Sequence, residues 1–236
     1  MVNKWIDFLQ FKLFPPTCIL CGAPGLSDLD ICRECLDGLA LNSSCCSRCA
    51  IPLPNSQAGS GDVCGSCLKS APKFDSCFSP FIYEGAVADL ISGLKFSAQL
   101  QSGRLLASLM RREIEGSRIK LPDIIIPIPL HSRRLRERGY NQSLELGRHL
   151  ARRLQLPLDR RSCVRTRITE AQSSLPKNKR IKNVRGAFAL RRKIHAGHVV
   201  LLDDVVTTGS TVNELAGVLK KSGVEQVSVW SIARTP

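Results

Sequence analysis

Apolar positions along the chain repeat with two different periods. Val199, Val200, Leu201 and Leu202 form an unbroken run, the pattern of a parallel strand covered on both faces. Asp123 to Leu130, DIIIPIPL, is a second such run, ended by Pro127 and Pro129, which cannot donate to a sheet ladder. Leu158 to Val164 offers another strand, and Val227, Val229 and Ile232 place a final one. Helical spacing lies between them. Val87, Leu90, Ile91 and Leu94 share one face, and a second helical stretch runs from about Ser102 to Arg112. Leu146, Leu150 and Leu154 carry a third helix, stopped by Pro157. Val212, Leu215, Ala216 and Leu219 carry a fourth, ended by Lys220, Lys221 and Gly223. Strands alternating with helices predict an α/β fold built on a parallel sheet, with a ligand at the C-terminal strand ends.

The first third of the chain follows neither period. Ten of its 11 cysteines fall between Cys18 and Cys77. Four CxxC pairs stand out: Cys18/Cys21, Cys32/Cys35, Cys46/Cys49 and Cys64/Cys67. One CxxC knuckle puts two thiolates on one side of a tight turn, and two knuckles complete a tetrahedral zinc shell. The spacing therefore predicts two structural zinc ions. Sequential pairing is the simplest arrangement, interleaved pairing is compatible with the same spacing, and Cys45 stands where it could replace Cys46. Cys77 and Cys163 are left over as ordinary buried cysteines. A segment this short, with Pro52, Pro54, Gly59 and Gly61, buries little core, so metals are expected to hold it together. The expected organisation is an amphipathic helix over 1–14, a double zinc ribbon over 15–80 and an α/β domain over 81–236. The apolar stripe of residues 1–14 is broken by Lys4, Asp7 and Lys12 and has no cleavage site, so a docking helix is expected rather than a secretory signal. No run of about 18 apolar residues predicts stable membrane insertion.

Charge changes the picture further. The net charge is +14, and residues 81–236 carry 28 Lys and Arg against 13 Asp and Glu, whereas residues 1–80 carry 6 against 7. The basic α/β part therefore calls for an anionic partner, a polyphosphate or a nucleic acid. HSRRLRERGYNQS, after the DIIIPIPL run, concentrates Arg133, Arg134, Arg136 and Arg138, whose donor forks suit phosphate oxygens. Residues 165–188 are polar and basic with little periodicity, and a loop of that length in a compact domain is usually functional.

Candidate chemistry concentrates in VVLLDDVVTTGSTV, residues 199–212. Asp203 and Asp204 are read at the strand end, with Val205 and Val206 turning the chain. Thr207, Thr208, Gly209, Ser210 and Thr211 then form a hydroxyl-rich loop ahead of a helix N-terminus, whose unpaired N–H groups and dipole attract phosphate. Gly209 lets backbone approach an anion closely. Two carboxylates beside such a cradle make sense if they face hydroxyls or a metal ion, and a ribose 5-phosphate supplies both halves.

These residues resemble the phosphoribosyl pyrophosphate (PRPP) motif of type I phosphoribosyltransferases, and nearly the whole chain resembles the ComF family of competence proteins. The family's PLHxxRxxxRGxNQ stretch is matched by Pro129, Leu130, His131, Arg134, Arg138, Gly139, Asn141 and Gln142. Its flexible loop is matched by Gln172, Leu175, Arg180, Asn183, Val184, Gly186 and Phe188, and its LKF step by Leu94, Lys95 and Phe96. The resemblance implies a type I phosphoribosyltransferase fold behind a double zinc ribbon. It implies PRPP with Mg²⁺ as ligand: the 5-phosphate on Thr207 to Thr211, the ribose hydroxyls on Asp203 and Asp204 and pyrophosphate on the loop after Leu130. No catalytic residue and no acceptor are named by the sequence. The family is associated with DNA uptake, so a cytoplasmic protein meeting single-stranded DNA and DNA-uptake proteins is expected. A non-catalytic, PRPP-responsive single-strand binder is the alternative, for which only Tyr140 offers a stacking surface.

Overall fold

The computed structural model describes residues 16–53, 56–57, 61–97, 99–168 and 183–236. The helix expected over 1–14, and Gln172, Leu175 and Arg180, lie outside them.

Two long strands form the spine. β6 (His198–Val206) and β7 (Gln226–Arg234) run parallel, in register from His198 opposite Gln226 to Val206 opposite Arg234. β3 (Ile124–Pro127) pairs parallel with the other edge of β6. β1 (Ser76–Phe78) and β2 (Phe81–Ile82) pair parallel with the outer edge of β7, so the sheet begins at Ser76. The expected strand from Leu158 to Val164 is divided. Leu158 makes one parallel bridge to Ile125, while β4 (Cys163–Arg165) leaves the sheet and pairs antiparallel with β5 (Phe188–Leu190). Residues 166–187 lie between the two strands of that ribbon.

Alternation along the buried strands separates two cores. Val200 and Leu202 of β6, with Trp230 and Ile232 of β7, face one cluster; Val199 and Leu201, with Val227 and Val229, face the other. The first face is covered by α3 (Gly85–Phe96), α4 (Leu100–Gly116) and α6 (Gln142–Leu154), through residues such as Leu90, Leu106 and Leu146. The second is covered by α7 (Ser210–Lys221), through Leu215, Ala216 and Leu219. Each apolar side chain so buried contributes about 1.5–3 kcal/mol, which is why these runs read so clearly in the sequence.

The cysteine-rich segment joins the first core instead of standing apart. Cys18, Leu29, Ile31 and Leu39 belong to the same cluster as Leu106 and Trp230. Its backbone is stitched to β2 by the Ile82 N–H on the Ala40 carbonyl, 2.8 Å, and the Asn42 N–H on the Pro80 carbonyl, 2.7 Å. The Asn42 amide, buried, donates to the carbonyls of Ala50 and Ser79. Two one-turn helices, α1 (Arg33–Asp37) and α2 (Gly65–Lys69), start at Cys32 and Cys64.

Two further sequence expectations are corrected. β6 does not end at Asp203: it continues through Val206, because β7 keeps pairing with it after β3 has stopped at Pro127. The arginine-rich stretch after Leu130 contains a helix, α5 (Ser132–Arg138), capped by the His131 ring nitrogen accepting from the Arg133 N–H and closed by Gly139 at φ 84°.

Candidate functional site

The eight CxxC cysteines gather into two groups, Cys18, Cys21, Cys32 and Cys35, and Cys46, Cys49, Cys64 and Cys67, each with all sulfurs within 4.8 Å of one another. The pairing is sequential, and Cys45, Cys77 and Cys163 stand outside both groups. The sulfurs of Cys21 and Cys32 are 3.6 Å apart and those of Cys49 and Cys64 are 3.7 Å apart. That is too long for a disulfide. It is close to the edge of about 3.8 Å that Zn–S bonds of about 2.3 Å give a tetrahedron. Both sites fit zinc. Gly22 at φ 78° and Ala50 at φ 54° close the two equivalent knuckles, each through its N–H on the carbonyl of the knuckle's first cysteine. Burial opposes ionisation of Cys18, yet the amides of Cys32, Cys21 and Leu20 outweigh it and bring the thiol down to about 6. In the same way the amides of Cys64, Cys49 and Arg48 bring Cys46 down to about 7. Amides aimed at sulfur are what thiolate ligands need.

At the C-terminal end of the sheet lies a cleft of about 610 Å³. Since β3 ends at Pro127, residues 203 and 204 of β6 lose their neighbour on that side and meet α6 instead. Ser143 donates its hydroxyl to Asp203, 3.0 Å, and the Gln142 amide donates to Asp204, 3.3 Å. Lys95, at the end of α3, places Nζ 3.0 Å from Asp204 Oδ2. Main-chain N–H groups of Asp204 and Val205 also turn onto the two carboxylates. Burial first, and the Asp204 charge second, push Asp203 up to about 7, although Lys95 and the hydrogen bonds pull the other way.

Past β6, Gly209 adopts φ 74° and leads into α7. The Ser210 N–H turns to the Thr208 hydroxyl, and the two hydroxyls of Thr208 and Ser210 are 2.6 Å apart. Thr207 and Thr211 line the cleft with Asp203, Asp204, Arg134, Arg138 and Gln142. His131 lines an adjoining pocket of about 290 Å³ with Arg133, Arg134 and Arg165. Asn141 caps α6, accepting from the Leu144 N–H and donating to the Ile128 carbonyl. Asn183 lies five residues before β5 in the sequence.

The structure adds residues that spacing did not bring forward. Lys95 could equally have ended a helix in solvent, and only the fold turns it onto Asp204. Ser143 follows Gln142 in the first turn of α6, where it faces Asp203. Tyr83, Phe96 and Arg165, remote in sequence, line the same cleft as Tyr140. Lys95 lies 6.0 Å from the Tyr83 ring centre, Arg138 lies 5.6 Å from that of Phe96, and the Tyr140 hydroxyl donates to the Leu94 carbonyl.

A parallel α/β domain with this carboxylate pair within β6 and the hydroxyl loop that follows it, packed against two four-cysteine sites, defines a protein of the phosphoribosyltransferase class bearing a zinc ribbon. Residues 9–71 match the double zinc ribbon domain and residues 141–236 the phosphoribosyl transferase domain. The chain is 35% identical over 226 residues to the DNA utilization protein YhgH of Escherichia coli K12, covering 94% of this chain and 98% of that one. It is 37% identical over 178 residues to competence protein F of Haemophilus influenzae, covering 72% and 78%. It is 27% identical over 158 residues to competence protein ComFC of Streptococcus pneumoniae, covering 65% and 66%. The chain belongs to the ComF family.

Proposed function

We propose that the cleft binds PRPP with Mg²⁺ and that the protein acts in the cytoplasm in DNA uptake, transferring the phosphoribosyl group to an acceptor with release of pyrophosphate. One observation carries this reading. Two carboxylates among the last residues of β6 stand beside Thr207 and Thr211 of the loop that follows, in a cleft whose other wall supplies Lys95, Arg134 and Arg138. The loop amides and hydroxyls would take the 5-phosphate. Asp203 and Asp204 would accept from the ribose hydroxyls. Arg134 and Arg138, with His131 beside them, would face the pyrophosphate, while Asn141 and Gln142 fix the start of α6. Asp203 and Asp204 offer only oxygen, which suits a hard cation, and bound Mg²⁺ would supply charge neutralisation.

In the reaction a nucleophile forms a bond to C1′ as the bond from C1′ to pyrophosphate breaks, the electron pair leaving with pyrophosphate. Positive charge develops on the ribose, so the anionic carboxylates and exclusion of water are the protein's contribution. The ribbon of residues 15–80 would serve the domain of residues 81–236 as a rigid support. The names of the curated relatives support the DNA-uptake role.

A second reading, a PRPP-responsive single-strand binder without turnover, is favoured by the lining itself. Tyr83, Phe96 and Tyr140 stand among Lys95, Arg134, Arg138 and Arg165, the mixture on which bases stack while phosphates pair. Pyrophosphate release from PRPP in the presence of nucleosides, bases and single-stranded DNA separates the two. Release above the no-enzyme rate supports transfer. Its absence with every acceptor, alongside DNA binding that PRPP alters, supports the second reading.

A further inference from the structure

Arg234 closes β7 and is 4% exposed. Among the described residues it forms no ion pair with a carboxylate. Its guanidinium instead joins two segments far from it in sequence and also bonds its neighbour Thr235. Nε donates to the Cys49 carbonyl at 3.0 Å. Nη1 donates to the Val206 carbonyl at 3.0 Å, to the Thr207 carbonyl and to the Thr235 carbonyl at 2.8 Å. Cys49 is a ligand of the second cysteine group, and Thr207 opens the hydroxyl loop.

Two physical consequences follow. Every described peptide is trans, so a carbonyl and the N–H of the next residue point in opposite directions. With the Val206 and Thr207 carbonyls turned onto Arg234, the N–H groups of Thr207 and Thr208 are turned away from it. The second consequence concerns charge. A buried cation needs compensation. Four thiolates around one Zn²⁺ carry a net charge of about −2, and the Cys49 carbonyl that Arg234 holds belongs to that same knuckle.

We propose that Arg234 is a positioning residue through which the metal-loaded second cysteine site sets the backbone of the anion-binding loop. Metal in that site fixes the Cys49 carbonyl and supplies the counter-charge. Arg234 then orients the two peptides that begin the loop. Among the described residues, Arg234 reaches no carbonyl of the first site, Cys18 to Cys35. The proposal rests on the PRPP reading only for the loop's ligand; the coupling itself is measurable without one.

The test is amide hydrogen exchange of residues 206–211 in the ligand-free, zinc-loaded full chain, with PRPP·Mg²⁺ titrated by calorimetry in parallel. Three variants are compared with wild type: Arg234→Lys, which keeps charge but loses the fork; Cys67→Ser in the second site; and Cys21→Ser in the first. Arg234→Lys and Cys67→Ser are each expected to speed loop exchange about tenfold or more, the loss of one charged hydrogen bond. Cys21→Ser is expected to leave it near wild type, and PRPP affinity is expected to follow the loop. Unchanged loop exchange in Arg234→Lys overturns the proposal. So does a change in Cys21→Ser as large as that in Cys67→Ser. If wild type fails to bind PRPP, the ligand reading falls while the exchange comparison still decides the coupling.

Discussion

Lys95 and Asp204 hold one another inside the cleft, Nζ 3.0 Å from Oδ2, at a point where Asp204 is already bonded by the Gln142 amide. The Lys95 side chain is 20% exposed and that of Asp204 7%, so the pair is largely shielded from water. Removing one partner of such a pair leaves the other charge uncompensated, at a cost of about 3–5 kcal/mol. Lys95→Met is therefore expected to lower unfolding stability by about 3 kcal/mol in urea. The double variant Lys95→Met/Asp204→Asn is expected to recover much of that loss. A fully additive cycle would mean that the two charges do not sense each other.

The raised Asp203 carboxyl gives stability a pH dependence of definite sign. Its folded value, about 7, lies above the ordinary carboxylate value of about 3.9. Between those values the folded protein keeps a proton that the unfolded chain has lost, so stability falls as pH rises through the window. Asp203→Asn is expected to flatten the curve between about pH 4 and pH 7 and to gain relative to wild type at about pH 8. Binding of a metal–phosphate ligand should expel that proton near about pH 6. Calorimetry in buffers of different ionisation enthalpy reads this release.

Gly209 turns the chain at φ 74°, and a Cβ added there would meet only a Val206 methyl, at 3.9 Å, so strain rather than collision resists substitution. A left-handed non-glycine residue costs about 1–2 kcal/mol. Gly209→Ala is expected to lose about 1 kcal/mol in chemical denaturation, and Gly209→Asn less, because Asn tolerates this conformation. Equal losses for both would place the cost elsewhere.

Zinc removal is expected to reach the whole molecule. Cys18 and Cys32 share a core with Leu106, Leu146 and Trp230, so a collapsing ribbon uncovers one face of the sheet. Metal analysis should find two ions per chain, one for each cysteine group. Chelation should lower the main thermal transition rather than melt a separate small unit. An unchanged main transition after complete zinc loss would contradict the shared core.

Phe96 is 76% exposed beside Arg138. If single strands lie in this cleft, Phe96→Ala is expected to cost about 1–3 kcal/mol of affinity with an unchanged salt slope. Arg138→Gln is expected to reduce the slope by about one unit. Fluorescence anisotropy over a salt series separates the two.

What was legible in the sequence was what repeats locally. The 199–202 run, the helical stripe from Val212 to Leu219 and the CxxC spacings each express a period or a knuckle fixed by neighbouring residues. What was illegible depends on contacts made across the fold. Asp203 and Asp204 looked terminal because the apolar run stops at Leu202, whereas the strand's length is set by β7, which lies beyond the next helix. The arginine stretch read as loop because its charges mask a short helix that buries none of its residues. Leu158 and Cys163 looked like one strand, yet they pair with different partners. Tyr83 and Arg234 carry no local signature at all, and Lys95 and Phe96 show only as part of the LKF step: each acquires its role from where the sheet delivers it.

The most direct measurement is the thermal midpoint of the zinc-loaded protein with and without PRPP and Mg²⁺, for wild type and for Asp203→Asn/Asp204→Asn. A ligand specific to the folded state raises the midpoint by mass action. A rise is expected in wild type that the double variant loses while remaining folded. No rise in wild type, or the same rise in both proteins, would contradict a PRPP site built on these carboxylates.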